Sequence, residues 1–463
     1  MAGAQVWTGR RRIARALWGA AFAAAPAAAA AETLDSALAR AYVSNPTLGA
    51  QRASVRATDE NVPRALSGYR PSIVGTGTVG FSNTIGETAG REVNRSLVPR
   101  TVGVQISQNL FNGFRTGNST RQAESQVLGA REGLRNVEQN TLFTGAQAYM
   151  NVLRDTAILD LQRNNVEVLE EQLRQTRDRF EVGEVTRTDV AQAESRVAAS
   201  RSQVSVAESN LQTSIATYRQ IIGVEPRQLA PGRPIDRLVP RTLAAGIQVG
   251  LEEHPAVIAA LHAVDAAELQ VKVVEGELAP SLNLVGSLSQ SYDSQTRGDN
   301  FLGASVVAQL SVPIYQGGEV YARVRQSKEI AGQRRIELES TRDQVRAAVV
   351  SSWGSLESSK ANIRAAQAQV AATEVALTGV REEARVGQRT TLDVLNQQQE
   401  LLIARVNLIT AQRDRVVASF SVVQSTGRLT AKSLGLNVAQ YSAKEHYDQV
   451  KDLPWGLRTP DGR

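Results

Sequence analysis

The sequence predicts a mainly α-helical chain carrying four β-strands of membrane type, built from two structural repeats. Three observations predict it. Short motifs recur in order at a nearly constant separation, each half holds a 67-residue stretch with coiled-coil spacing, and four segments of about ten residues alternate apolar with uncharged polar residues.

The 463 residues include no cysteine, which excludes disulfides, thiol nucleophiles, cysteine metal sites and a lipidated N-terminal Cys. The first element is an address. Arg10, Arg11, Arg12 and Arg15 precede the apolar stretch Ala16 to Ala25, and Ala29-Ala30-Ala31 offers a cleavage site, so 1–31 reads as a signal peptide. Its removal lowers the formal charge from +6 to about +2, so the basic balance says little about nucleic acid, and none is expected as a partner. No later run of 18 apolar residues suggests a membrane helix.

The mature chain divides into a first repeat over 32–223, a linker over 224–242 and a second repeat over 243–430. Asn45-Pro46 recurs as His254-Pro255, and Pro71-Ser72 as Pro280-Ser281, about 209 residues later. Leu110-Phe111-Asn112-Gly113 recurs as Ile314-Tyr315-Gln316-Gly317, and Val182-Gly183 with Asp189-Val190 as Val386-Gly387 with Asp393-Val394, about 204 later. The five-residue difference falls between about 83 and 301, which suggests a surface loop.

Each repeat opens with an Ala-rich helical segment, at 34–67 and 243–278. Strand-like pairs come next, near 72–82 with 101–111 and 281–290 with 302–314. In 101–111 Val102, Val104, Ile106 and Leu110 alternate with Thr101, Gly103, Gln105, Ser107 and Asn109, while 72–82 is weakest, being rich in Gly and Thr. Such strands suit a membrane barrel or a half-buried soluble sheet. Four strands cannot close a barrel, and lipid tolerates no open edge, so in a membrane several chains must share one barrel.

Long helices succeed the strands, at 115–181 and 319–385, each about 100 Å if wholly helical. Ala123, Val127, Ala130, Leu134 and Val137 keep 4-3 spacing. Return helices run over 188–222 and 391–426, with Val190, Val197, Val204, Leu211 and Tyr218 seven apart. On helices alone a simple antiparallel coiled coil would suffice; the strands argue for more. The linker carries Pro226, Pro231, Pro234 and Pro240, and the polar tail 431–463 reads as irregular.

Enzyme chemistry finds no foothold. Gly75-Thr76-Gly77-Thr78-Val79-Gly80 matches G-x-G-x-x-G but runs on as strand instead of opening a helix. His254 sits where Asn45 stands in the other repeat and reads as a helix start, and His262 and His446 are isolated. No cofactor or metal is expected.

These residues resemble the TolC family of outer-membrane exit ducts over about 32–430. Besides the recurring motifs, the resemblance rests on Gln108-Asn109-Leu110-Phe111-Asn112-Gly113 and Val312-Pro313-Ile314-Tyr315-Gln316-Gly317-Gly318 at the strand-to-helix junctions. It rests most on the tips Phe180–Val190 and Val386–Leu395. It implies a homotrimer whose twelve strands form one barrel in outer-membrane lipid and whose helices form a periplasmic tunnel. The loops at 83–100 and 291–301 would face outside. The tips would meet a periplasmic adaptor and an inner-membrane pump of ABC, RND or MFS type. The implied function is a passive exit duct for efflux or type I secretion; a periplasmic coiled-coil adaptor is the alternative, and would need a lipoyl-like β domain.

The implied gate residues are Gly183, Thr188, Asp189, Gly387, Arg389, Asp393 and Asn396. Gly183 and Gly387 would end the long helices. Arg389 would latch to the neighbouring tip near Thr188 and Asp189, or share a helix face with Asp393. Asp393 would form a carboxylate ring, and Asn396 stands where the family usually carries a further Asp.

Overall fold

The computed structural model describes residues 31–88 and 90–462, so most of the expected signal peptide, 1–30, lies outside the described residues. Three short helices come first: α1 (Leu34–Ser44), α2 (Pro46–Asp59) and α3 (Asn61–Leu66). The break at Asn45-Pro46 is a matter of proline geometry. Pro46 supplies the first helical residue, and Asn45 Oδ1 caps α2 by accepting from the Thr47 and Leu48 amides at 2.9 and 3.2 Å.

Four strands come next in the chain: β1 (Ser72–Val79), β2 (Ser82–Thr88), β3 (Arg91–Leu97) and β4 (Arg100–Asn112). The first expected strand therefore stops at Val79, and the expected polar loop 83–100 is largely a second hairpin, β2 against β3, closing at Gly90 with φ +77°. Its Asn, Glu and Arg residues read as loop because neither face is apolar, yet antiparallel pairing still satisfies the backbone.

The chain then runs through α4 (Arg115–Glu181), α5 (Arg187–Ile222), α6 (Leu243–Glu253), α7 (Pro255–Glu275), β5 (Ser281–Tyr292), β6 (Asn300–Ser311), α8 (Glu319–Arg385) and α9 (Thr391–Ser425). β6 ends at Ser311 rather than 314, because Pro313 has no amide to donate to a ladder. The tail is not wholly irregular. It forms α10 (Ala431–Leu434) and α11 (Ala443–Val450), and both pack on the helices.

At each strand-to-helix junction two successive residues adopt left-handed backbone, Gly113-Phe114 (φ 67° and 63°) and Gly317-Gly318 (φ 64° and 81°). At the first junction Gly113 and Gly276 touch. A Cβ on Gly113 would come within 2.3 Å of the Gly276 carbonyl oxygen, so no side chain fits there.

The four main strands form one antiparallel sheet in the order β1-β4-β5-β6, leaving β1 and β6 as its edges. The register sorts the faces. Ile73, Ile106, Gly286 and Val306 lie in one row across the sheet, and Val104, Leu288 and Ala304 in the next on that face. Thr76, Gly103, Ser289 and Gly303 share the other face. A bulge at Leu110 brings Phe111 opposite Leu282. Aromatic residues flank the sheet: Tyr69, Phe111, Phe114 and Tyr315 at the helical end, Phe81, Tyr292 and Phe301 at the far end.

Long helices pair as α4 with α5 and α8 with α9. The largest core lies midway along them, where Leu38, Leu142, Tyr149, Tyr218, Phe420 and Leu429 draw together α1, α4, α5, α9 and the start of the tail. Tyr149 Oη lies 2.7 and 2.6 Å from the carbonyls of Glu32 and Ala230, clamping the residues just before α1 to the linker. Burial is the main cause that pushes the Tyr149 phenol up to about 12.

Candidate functional site at the hairpin tips

The two tips are built by the same local rule. α4 ends on Val182, and Gly183 turns left-handed at φ +81°. Its amide reaches Phe180 O at 3.0 Å, and the Glu184 amide reaches Arg179 O at 2.8 Å. α8 ends on Val386 with Gly387 at φ +80°, and the Gly387 and Gln388 amides reach Ala384 O and Glu383 O at 3.2 and 2.9 Å. Both are Schellman turns, in which glycine takes the left-handed site at little cost and two otherwise unpaired carbonyls are satisfied. Both glycines are exposed, with open space where a Cβ would stand.

The return helices begin with reciprocal caps. Asp189 Oδ2 accepts from the Thr186 amide and hydroxyl at 2.9 and 2.7 Å, while Thr186 Oγ1 accepts from the Asp189 amide at 3.3 Å. Asp393 and Thr390 repeat the arrangement at 3.0, 2.9 and 3.2 Å. Each carboxyl is held below the usual range: at Asp189 chiefly by the Thr186 hydroxyl, at Asp393 chiefly by the Thr390 amide. The aspartates are thus anionic at neutral pH and structurally engaged, a role the spacing Thr-x-x-Asp in both motifs could have signalled.

Arg389 lies in the turn before Thr390, so it does not share a face of α9 with Asp393; that expectation required the helix to have begun. Instead Arg389 Nε donates to Glu383 Oε2 at 2.9 Å. The first tip carries the same bridge with reversed polarity, Arg179 in the last turn of α4 to Glu184 in the turn, at 3.0 Å. Thr188 is exposed in the first turn of α5. Asn396 Oδ1 accepts from Arg196 Nη2 at 2.7 Å, joining α9 to α5. Beneath it Leu169, Ala193, Val197 and Leu395 form a small core shared by both hairpins. Arg196 and Glu383 escaped the sequence reading, because neither lies at a spacing from its partner that the two repeats share.

Among the described residues no cluster of metal-ligating side chains occurs, and no helix is long and apolar enough to cross a membrane. A sheet with one apolar face and aromatic ends, mounted on two helices of about 100 Å that each fold back at a tip, is the architecture of an outer-membrane duct with a periplasmic extension.

Known proteins place the chain within that class. It belongs to the outer membrane efflux protein family, whose profile matches residues 37–224 and 246–428, one stretch in each repeat. It is 44% identical to the outer membrane efflux protein BepC of Brucella suis biovar 1 (strain 1330), over 94% of each chain. It is 26% identical to the outer membrane protein TolC of Escherichia coli (strain K12), over 87% of this chain and 84% of that one. Its fold is similar to the crystal structure of the Campylobacter jejuni CmeC outer membrane channel, with TM-score 0.78 at 16% identity, covering 90% and 89% of the two chains. The TolC resemblance and the mixed fold therefore hold. The chain is an outer-membrane exit channel with its helices in the periplasm, and the adaptor alternative is not favoured. The relatives are channel proteins rather than enzymes.

Proposed function

We propose that three copies of the chain assemble into one duct whose periplasmic tips open and close its inner end. The observation that carries this reading is the open sheet: among the described residues β1 and β6 each present an unpaired edge, which lipid does not tolerate, and three copies close a ring of twelve strands. The same threefold arrangement sets the helical hairpins side by side as a tunnel and brings three copies of each tip around one axis.

At that axis Asp393 supplies a ring of anionic carboxylates, and Arg389 is the mobile element of the gate. Its Nε is engaged within the chain, which leaves its Nη groups to donate toward Thr188 and Asp189 of a neighbouring tip. Asp189 retains Oδ1 as an acceptor, since the cap uses Oδ2. A closed resting gate keeps the periplasm from leaking. Opening is driven from outside the chain by an inner-membrane pump of ABC, RND or MFS type acting through a periplasmic adaptor that grips the tips. The duct makes and breaks no bond.

The test has two parts. Heat-resistant trimers in the outer-membrane fraction, with ion conductance in planar bilayers, support the assembly, and soluble periplasmic monomers refute it. Arg389→Ala and Asp189→Ala should each raise single-channel conductance, with little further gain in the double variant. Unchanged conductance in Arg389→Ala removes the latch.

A further inference from the structure

The end of the C-terminal tail lies outside the four-stranded sheet and both tip turns. After α9 the chain passes through the mid-height core and then climbs toward the sheet. α11 docks on α2 and α4, with His446 Nδ1 3.0 Å from Asp59 Oδ2 and the Arg131 guanidinium 5.0 Å from the Tyr447 ring centroid. The chain is next caught at the foot of the sheet. Arg70, two residues before β1, donates from Nη1 to Leu453 O at 3.0 Å and from Nη2 to Asp452 O at 3.1 Å. Beyond this catch the chain is apolar and uncovered: Pro454, then Trp455 at 84% exposure, Gly456, and Leu457 fully exposed, with Arg458 behind them.

The segment is anchored where it begins, so the exposure is not that of a free terminus. Two carbonyls are held by one guanidinium, and the helix before them is pinned through the buried Asp59. The position is also particular. Tyr69 and Arg70 stand at the start of the membrane-facing sheet, at the height of the aromatic residues Phe111, Phe114 and Tyr315. Tryptophan with an adjacent aliphatic residue and a cation is the composition favoured at headgroup level, where an amphipathic ring and a cationic group are both satisfied.

We propose that Leu453–Arg458 is a membrane-interface foot, inserting Trp455 and Leu457 among the phospholipids of the inner leaflet of the outer membrane and placing Arg458 at their phosphates. The surface it completes is continuous with the lipid-facing barrel, and phospholipid is its partner. Arg70 is the positioning residue.

After loss of 1–31 the chain holds two tryptophans, Trp353 and Trp455, so Trp353→Phe leaves Trp455 as sole reporter. The trimer carrying that change is placed in nanodiscs of phosphatidylethanolamine and phosphatidylglycerol, with or without brominated phospholipid. Trp455 emission should be blue-shifted and lose roughly twofold or more of its intensity to the brominated lipid. Arg70→Ala should reduce that quenching while leaving the trimer intact. A control with Trp353→Phe, Trp455→Phe and Val306→Trp reports the barrel itself. Unquenched emission at Trp455 with quenching at position 306 overturns the proposal, whether the emission is water-like or is blue-shifted by burial against another protomer. Absence of quenching at both overturns the membrane placement of the sheet and the foot with it.

Discussion

Arg196 Nη2 donates to Asn396 Oδ1 over 2.7 Å, and this bond crosses from the return helix of the first hairpin to that of the second. The bond is open to solvent and its acceptor is neutral, so it is a modest contact of about 0.5–1.5 kcal/mol. It lies near the tips and bridges the two hairpins. Asn396→Asp should tighten it by adding charge and raise the cation preference of the reconstituted channel, whereas Arg196→Ala should loosen it and raise conductance. Equal ion selectivity in wild type and Asn396→Asp would show that position 396 does not face the permeation path.

In the proposed duct Asp393 would combine two separable roles, the observed cap and a ring charge. Thr390→Ala removes the cap acceptor and should cost about 0.5–2 kcal/mol of local helix stability, seen as faster amide exchange at the start of α9. It should leave cation selectivity intact. Asp393→Asn keeps a hydrogen-bonding side chain but loses the charge, so selectivity and block by multivalent cations should fall. If both variants change exchange alone, the carboxylate ring is refuted.

The caps also set a pH response. Asp189 and Asp393 are bound in the folded tip as anions, so their carboxyls lie below the ordinary value of 3.8. A depressed carboxyl contributes stability at any pH above that value and loses it as pH falls through the folded one. Tip amide exchange, corrected for intrinsic rate, should stay constant from neutral pH to about pH 5 and accelerate only below 3.8. Acceleration near pH 6 would point to some other group.

The tip glycines are required for backbone reasons alone. With φ near +80° and open space around a Cβ, Gly183→Val and Gly387→Val should each cost about 1–2 kcal/mol locally without steric clash. Gly→Asn should cost less. Hydrogen exchange confined to the tips checks this; a drop in whole-trimer heat resistance would show that the turns are coupled to the tunnel.

On the sheet, Val306 belongs to the apolar face and Ser305 to the polar one, where its hydroxyl lies 2.8 Å from that of Ser287. Val306→Arg should cost about 2–4 kcal/mol at mid-bilayer, and Ser305→Arg should be tolerated. Equal yields of both variants in the outer membrane would reverse the facing assignment.

Local periodicity determined much of this protein before any contact formed. A 3.5-residue spacing dictates long paired helices and a two-residue spacing dictates strands with distinct faces. The recurrence of Asn45-Pro46 as His254-Pro255, and of the tip motifs, dictates two copies of one plan, because each signal is carried by neighbours in the chain. Only the tertiary structure decided which polar side chains meet. Thr186 and Asp189 are three residues apart and could be paired from sequence, but Arg196 finds Asn396, and Asp59 finds His446, across hundreds of residues. The hairpin at 82–97 escaped for a related reason, since its pairing consists of backbone hydrogen bonds and leaves no apolar face to read. The tail's last helix owes its place to partners on α2 and α4. Periodicity reports which face a residue occupies, whereas the identity of its partner depends on where distant backbone has already been placed.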